Sequence, residues 1–409
     1  MATVSAFIDD SHVQSLAKDL RLLGRKRQFS DIIDGKGRQY VDLVMEGGGV
    51  LGVGLVGYTY ALEQAGVRFL RVGGTSAGAI NAILLAGLGT PSEEKSVKIL
   101  KALAELNLED LMDGNFWARG LINAALARSG TLVLLFWALT VIHQIQEYLG
   151  LNRGEIFLKW LTTVLEEGGV RSTADLRARM NAIPRDMKLR TGKRVGLKDA
   201  DPYLALVAAD VTTETKVDFP RMARLYWENA ESVNPALFVR ASMSIPFFFR
   251  PLKIEPIPRT PESRLSWEVL AGYSAEPPSA CVFVDGGIMS NFPIALFHEP
   301  DTVPTAPTFG VKLGPSSRTK HAIKTPGNLA GAVFNSARHT LDYDFLTHHP
   351  DYNKLVGFVD TTGHNWLNFR LTDEAKLDLF RRGMEAAAGF LRKFDWKGYK
   401  LIRRKLAKQ

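Results

Sequence analysis

The sequence predicts an α/β fold around a mainly parallel sheet, and three adjoining observations carry that prediction. Tyr40 to Glu46 (YVDLVME) is a short apolar run ending in glycines, which reads as a buried strand. Leu55 to Ala65 follows as an apolar helix stopped by Gly66. Arg68 to Val72 is a second strand, and the small-residue stretch Ala77 to Gly89 (AGAINAILLAGLG) is a second helix. Strand, helix, strand, helix at this spacing is the pattern of a right-handed parallel unit.

The remaining elements follow in order. Residues 1–39 are polar and mixed, with a basic cluster at Arg25, Lys26 and Arg27, and are expected to form a helical lead-in segment. A helix is expected to open at Thr90-Pro91-Ser92-Glu93, with Thr90 as N-cap, Pro91 at the first helical position and Glu93 closing a capping box. From about 92 to 198 the pattern stays mainly helical, as in an insertion or cap. Strands return at Tyr203 to Ala209, Ala280 to Val284 and Thr308 to Leu313. Glu255 to Pro278 carries five prolines and reads as a surface loop. Thr372 to Phe394 has helical periodicity, so the main domain covers 40–394 and a tail covers 395–409.

Composition bounds the function. With 409 residues, 46% hydrophobic and 23% charged, the chain can bury a sizeable core. Its one cysteine, Cys281, excludes an intrachain disulfide and reads as a small buried hydrophobe. The N-terminus lacks a basic patch followed by an apolar stretch, so no cleavable signal is expected. The longest apolar run, Thr131 to Ile142, is shorter than the roughly 20 residues of a membrane-spanning helix. The expected location is therefore cytoplasmic or peripheral at a membrane surface. Of the net charge of +8, a net of +7 falls between Phe390 and Gln409, which holds eight Lys or Arg and one Asp. Outside that tail the charge is nearly balanced and no nucleic-acid motif is present, so no nucleic-acid partner is expected.

Three local features carry chemistry. The first is Gly74-Thr75-Ser76-Ala77-Gly78, a G-x-S-x-G between a strand and a helix. A sharp turn there lifts a nucleophilic serine out of the sheet and aims the positive end of the helix at it. The bland alternative is a tight turn in which Ser76 caps the helix. The second is Gly47-Gly48-Gly49, whose backbone N–H groups can converge on a developing negative charge. Gly47 to Gly52 also fits the dinucleotide G-x-G-x-x-G, but the second strand ends Arg71-Val72-Gly73-Gly74 without the acid that would bind a ribose. The third is Asp285-Gly286-Gly287 after the strand Ala280 to Val284, an acid at a strand end where parallel sheets place their sites. Asp-Gly is also ordinary turn chemistry.

In this order the three features resemble the patatin-like phospholipase family. The resemblance extends over about Tyr40 to Phe394 and includes EGGGVLG (46–52), GTSAG (74–78), AADVTT (208–213), RASMSIPFFF (240–249), VDGG (284–287) and VDTTGHNWLNFRLTDEAK (359–376). It implies a three-layer α/β/α sandwich, a serine–aspartate pair without histidine, and chemistry that needs no metal or cofactor. Position by position, Ser76 matches the nucleophile, Asp285 its base, and Gly47, Gly48 and Gly49 the oxyanion loop, with Gly52, Gly74, Gly78, Gly286 and Gly287 supporting the motifs. The implied reaction is hydrolysis of a fatty-acyl ester of a phospholipid or related lipid through an acyl-enzyme. One position departs: the family carries Arg or Lys two residues after the third glycine, where this chain has Leu51.

Two other functions remain open on sequence grounds. A Ser-His-Asp esterase would draw its histidine from His298, His321, His339, His348, His349 or His364, none of which sits in a recognisable motif. Only 27 residues separate Gly49 from Ser76, an arrangement foreign to that hydrolase sheet. A non-catalytic lipid- or partner-binding domain of the same fold is the other. His348-His349-Pro350-Asp351 lacks further ligands at metal-site spacing. Contact with lipid has two candidates, each with a packed-helix alternative: the basic, aromatic tail from Phe390 to Leu406, and Leu132 to Ile142 (LVLLFWALTVI) as an interfacial lid.

Overall fold

A computed structural model describes residues 3–126, 131–196, 201–315 and 323–407. Its centre is a ten-stranded sheet. The strands that matter for the site are β1 (Gln39–Met45), β2 (Val67–Thr75), β3 (Tyr203–Asp210), β4 (Thr215–Phe219), β5 (Leu252–Ile254), β6 (Cys281–Asp285), β7 (Thr308–Leu313) and β8 (Val356–Val359). Along its main path the order is β8-β7-β1-β2-β3-β6-β5. Neighbours from β8 through β3 are parallel, whereas β4, β6 and β5 join antiparallel. The expected mainly parallel sheet is thus corrected to a mixed one. The four residues between β3 and β4 are too few for a parallel crossover, so β4 folds back as a hairpin.

Every residue of β1 is buried, as an apolar strand in mid-sheet requires. Its two polar members are matched: Asp42 pairs with Arg71 at 2.9 Å, and the Gln39 Oε1 accepts the Phe29 N–H at 2.7 Å. Helices α1 (Ser11–Lys26), α2 (Gly52–Gln64), α3 (Ala77–Gly87), α4 (Ala236–Ser242), α5 (Pro326–His348), α6 (Asp373–Lys393) and α7 (Trp396–Leu406) surround the sheet. The lead-in is part of this packing, because α1 lays Val13, Leu16, Ala17 and Leu20 against α2 and α6. Helix α2 is apolar all round and buried along nearly its whole length. It crosses α6 so closely that a methyl on Gly383 would lie 2.0 Å from the Gly54 carbonyl oxygen.

Between α3 and β3 the described residues form the α-helices Ser96–Glu105, Phe116–Leu126, Thr131–Tyr148, Glu155–Glu167 and Thr173–Met180. The first begins six residues after the expected start at Thr90. Glu93 does accept the Thr90 N–H at 3.0 Å, but Glu63 of α2 accepts the N–H groups of Lys95 and Ser96 and fixes the start there. The side chains of the apolar run Leu132 to Ile142 lie, up to position 139, outside the described residues; Val141 is buried and Ile142 exposed.

The proline-rich stretch 255–278 is not wholly loop. It contains the helix Pro261–Ala271, capped by Thr260, with Pro261 in the first turn and Gly272 as a left-handed stop. In the tail, Trp396 and Tyr399 are buried, and the Trp396 indole N–H and the Lys400 ammonium both donate to Asp31. The tail's aromatic half is therefore packed on the domain, while Lys397, Leu401, Arg404, Lys405 and Leu406 remain exposed. Among the described residues no helix is long and apolar enough to cross a membrane.

Candidate active site

At the end of β2 the chain turns into α3, and Ser76 occupies the turn with φ 53° and ψ −117°. A non-glycine residue held there costs on the order of 1–3 kcal/mol and persists only where its surroundings fix it. They do. The Ser76 N–H donates to the Ser242 Oγ at 2.9 Å, and that hydroxyl donates to the Val207 carbonyl at 2.6 Å. A methyl on Gly78 would lie 2.2 Å from the Met45 carbonyl oxygen, and one on Gly74 would lie 2.6 Å from the Gly78 carbonyl carbon. Both glycines are there because the elbow crosses the end of β1 with no room for a side chain.

The glycine loop passes directly beside this elbow. A methyl on Gly47 would be 3.2 Å from the Ser76 Cβ, and one on Gly52 would be 3.2 Å from the Ala77 Cβ. Gly49 has φ +54°, which suits glycine. One expectation is corrected here. The Gly47 N–H donates to the Asn291 carbonyl at 2.9 Å, so it is not available as an oxyanion donor. The N–H groups of Gly48 and Gly49 meet no acceptor among the described residues.

Asp285 ends β6. The geometric reason expected for its placement needs revision, because β6 runs antiparallel to β3. The strand is short, however, and stops with Asp285 opposite Ala208, one residue along β3 from the Val207 that pairs with Thr75. That register brings the acid to the serine. Gly286 lets the turn close, since a methyl there would lie 2.0 Å from the Val207 carbonyl oxygen. Asp285 is 6% exposed and accepts the Gly287 N–H at 2.7 Å. Burial pushes its carboxyl above the usual carboxylate range, opposed by the neighbouring Ser76 hydroxyl, by the charge of Arg338 and by the Gly287 N–H.

Ser76 opens into a cleft of about 630 Å³, its mouth included. Leu103, Leu106, Leu108, Leu111, Phe157, Trp160, Ile245, Phe249 and Phe369 line it, with Gly49 and Asn81 among the few polar contributors. An apolar trough ending at a buried serine–carboxylate pair suits an acyl chain whose ester reaches the serine.

No described histidine lines this cleft. His298 bonds the Tyr352 hydroxyl at 2.7 Å, His364 pairs with Asp378 at 2.8 Å, and His348 bonds the Asp344 carbonyl on an exposed helix face. His349 packs its ring at a tilt against His298 and Phe345, and Asp351 pairs with Arg403. His339 lies on α5 with its ring against Tyr343, and His321 lies outside the described residues. Among the described residues no cluster of three His, Cys, Asp or Glu is placed to hold a metal ion. Cys281 is buried beside Asp210, and burial pushes its thiol up, as expected of an unreactive sulfur.

Several residues at this site escaped sequence reasoning. Ser242 and Ser244 lie within a segment noted only as a motif, yet Ser242 holds the Ser76 N–H and the Ser244 carbonyl accepts the Asp285 N–H at 2.8 Å. Asn291 bonds the glycine loop from both its backbone and its side chain. Arg338 comes from α5, far away in sequence.

Comparison with known proteins places these motifs in context. The family described as patatin-like phospholipase matches residues 43–298. The uncharacterized protein YqhO of Bacillus subtilis (strain 168) is 29% identical over 361 residues, which span 87% of this chain and all of that protein. Among solved structures, VipD from Legionella pneumophila aligns at 15% identity and TM-score 0.41, covering 90% of this chain and 70% of its own. ExoU in its complex with SpcU, from the type III secretion system of Pseudomonas aeruginosa, aligns at 17% identity and TM-score 0.34, covering 87% of this chain and 52% of that one.

Proposed function

The chain belongs to the patatin-like phospholipase family, and on that premise we propose that it is a serine acyl hydrolase that cleaves fatty-acyl esters of phospholipids. The observation that carries this is the strained, buried Ser76 brought by the register of β2, β3 and β6 beside the buried Asp285 at the end of an apolar cleft. Asp285 takes the Ser76 hydroxyl proton as Oγ attacks the ester carbonyl. The N–H groups of Gly48 and Gly49 receive the resulting oxyanion. Collapse of the tetrahedral species breaks the C–O bond, and Asp285 returns the proton to the departing alcohol. Water then enters, Asp285 removes its proton as the water oxygen attacks the acyl carbon, the bond from that carbon to Ser76 Oγ breaks, Asp285 returns the proton to Oγ, and the fatty acid leaves.

In this reading 40–394 is the catalytic domain, built as three α/β/α layers, with 92–198 as its helical insertion. The segments 1–39 and 395–409 are lead-in and tail. The exposed cations of α7, beside Leu401 and Leu406, are the part of the tail left to meet an anionic lipid surface.

The test is fatty-acid release from mixed phospholipid vesicles in the presence of EDTA. Ser76→Ala and Asp285→Asn are each expected to lose about four orders of magnitude or more in kcat while keeping the fold. A folded Asp285→Asn enzyme with activity near wild type would remove the carboxylate from the mechanism and return attention to a histidine.

A further inference from the structure

Leu51 is buried and brings no charge to the glycine loop. The cation at this site comes from elsewhere. Arg338 of α5 reaches over the turn after β6 and donates from Nη2 to the Asn291 Oδ1 at 2.7 Å. Its guanidinium carbon lies 5.4 Å from the centre of the Trp366 ring. A methyl on Gly287 would lie 2.8 Å from an Asp285 carboxylate oxygen and 3.3 Å from the Arg338 Nε, so Gly287 has both groups beside it.

Asn291 extends this contact to the other half of the site. Its carbonyl accepts the Gly47 N–H at 2.9 Å, and its Nδ2 donates to the Gly47 carbonyl at 3.2 Å. Trp366, the ring beneath the guanidinium, accepts the Val50 N–H on its carbonyl at 3.1 Å. Arg338 thus touches both segments that grip the glycine loop as well as the turn that carries Asp285.

We propose that Arg338 is a positioning residue that locks the Asp285 turn to the glycine loop through Asn291 and sets a positive charge beside the Asp285 carboxyl. This deepens the acyl-hydrolase reading and rests on it for its catalytic consequence. The other charged groups packed around the turn are engaged among themselves. Glu46 pairs with Lys312 at 2.9 Å, and Asp342 of α5 accepts from the Ser290 hydroxyl and the Phe292 N–H. Arg240 of α4 donates to the Arg153 and Arg250 carbonyls and to Ser244. On β3, the Asp210 carboxylate accepts from Thr212 and Thr213, beyond the Ala208 that faces Asp285. Among the described residues Arg338, beside the same Gly287, is the cation whose charge opposes the upward push of burial on Asp285.

The experiment has two readouts on the full chain. The first is the pH titration of the Asp285 carboxyl carbon by 13C NMR, assigned with Asp285→Asn, in wild type, Arg338→Met and Arg338→Lys. Arg338→Met is expected to raise the midpoint by about one pH unit, the size of a lost neighbouring charge, and Arg338→Lys to keep it near wild type. The second is kcat/KM against pH on a soluble short-chain ester. Arg338→Met should move the acid limb up by the same amount. Asn291→Ala should lower kcat about tenfold or more without moving the limb, because it loosens the loop and leaves the charge. An Asp285 midpoint unchanged in folded Arg338→Met overturns the proposal, whatever the activity. A midpoint that shifts in Arg338→Met while the wild-type protein hydrolyses no ester overturns the enzymatic reading and leaves the charge assignment standing.

Discussion

Gly286→Ala is the most direct probe of how the two halves of the site are joined. The new methyl would sit 2.0 Å from the Val207 carbonyl oxygen, 2.6 Å from its carbon and 3.1 Å from the Ala208 Cα. All three are backbone atoms in mid-sheet, with no flexible side chain to swing away. Ordinary carbon–oxygen contact needs about 1.4 Å more, so β3 and the turn after β6 must separate by that order. The displaced carbonyl is the one that accepts the Ser242 hydroxyl, whose oxygen in turn holds the Ser76 N–H. One methyl therefore moves Asp285 directly and Ser76 through a single serine. A misplacement near 1 Å costs about 100-fold in rate, and overpacking of this kind costs roughly 1–3 kcal/mol of stability. Steady-state kinetics on a soluble ester, with urea unfolding of the same preparation, measures both. A folded Gly286→Ala enzyme whose kcat stays within threefold of wild type would refute the claim that this register sets the Ser76–Asp285 geometry.

Two further outcomes follow from the same packing. Asp285→Asn should unfold at a higher temperature than wild type at pH 8 even as it loses activity. Because burial raises the folded carboxyl above its unfolded value, the native state holds that proton more tightly, and stability falls as pH rises through the window. The gap in melting temperature between variant and wild type should therefore close as pH drops toward the ordinary carboxylate value. A constant gap would mean that the charge of Asp285 is not what the fold works against. In α6, Gly389→Ala should stabilise by about 0.5–1 kcal/mol, since a methyl there meets nothing within 4 Å and helical alanine is favoured over glycine. Gly383→Ala should destabilise, because its methyl would meet the Gly54 backbone at 2.0 Å; equal effects at the two positions in urea titrations would contradict the close α2–α6 crossing.

What could be read in the sequence was what is encoded locally. Apolar strands that run into glycines, and a helix of small residues behind a serine, place β1, β2 and α3 because those patterns are steric requirements of the turn itself. Asp285 was legible as an acid at a strand end, but the direction of that strand was not. Direction is set by the path through α4 and β5, which leaves no mark on the residues of β6. The helix Pro261–Ala271 was legible and overlooked: Thr260, Pro261 and Gly272 are start and stop signals, and the density of prolines drew attention away from their order. The true start at Ser96 could not be seen, because the capping carboxylate belongs to Glu63 on another helix.

Ser76 shows why the rest of the site lay beyond local patterns. Leu149, Glu214 and Phe247 share its positive φ, but all three are exposed, where the backbone can relax toward solvent. Ser76 is 4% exposed and has no such outlet. Its conformation is kept by Ser242, by the end of β1 and by a glycine loop that is itself anchored through Asn291. Those contacts join positions near 47, 76, 242 and 291, which are neighbours only once the sheet has formed. A motif such as G-x-S-x-G can announce a strained turn, but it carries no record of what holds the strain. The residues that hold it, Ser242, Asn291 and Arg338, are ordinary in sequence because each acts through one tertiary contact and not through a local pattern.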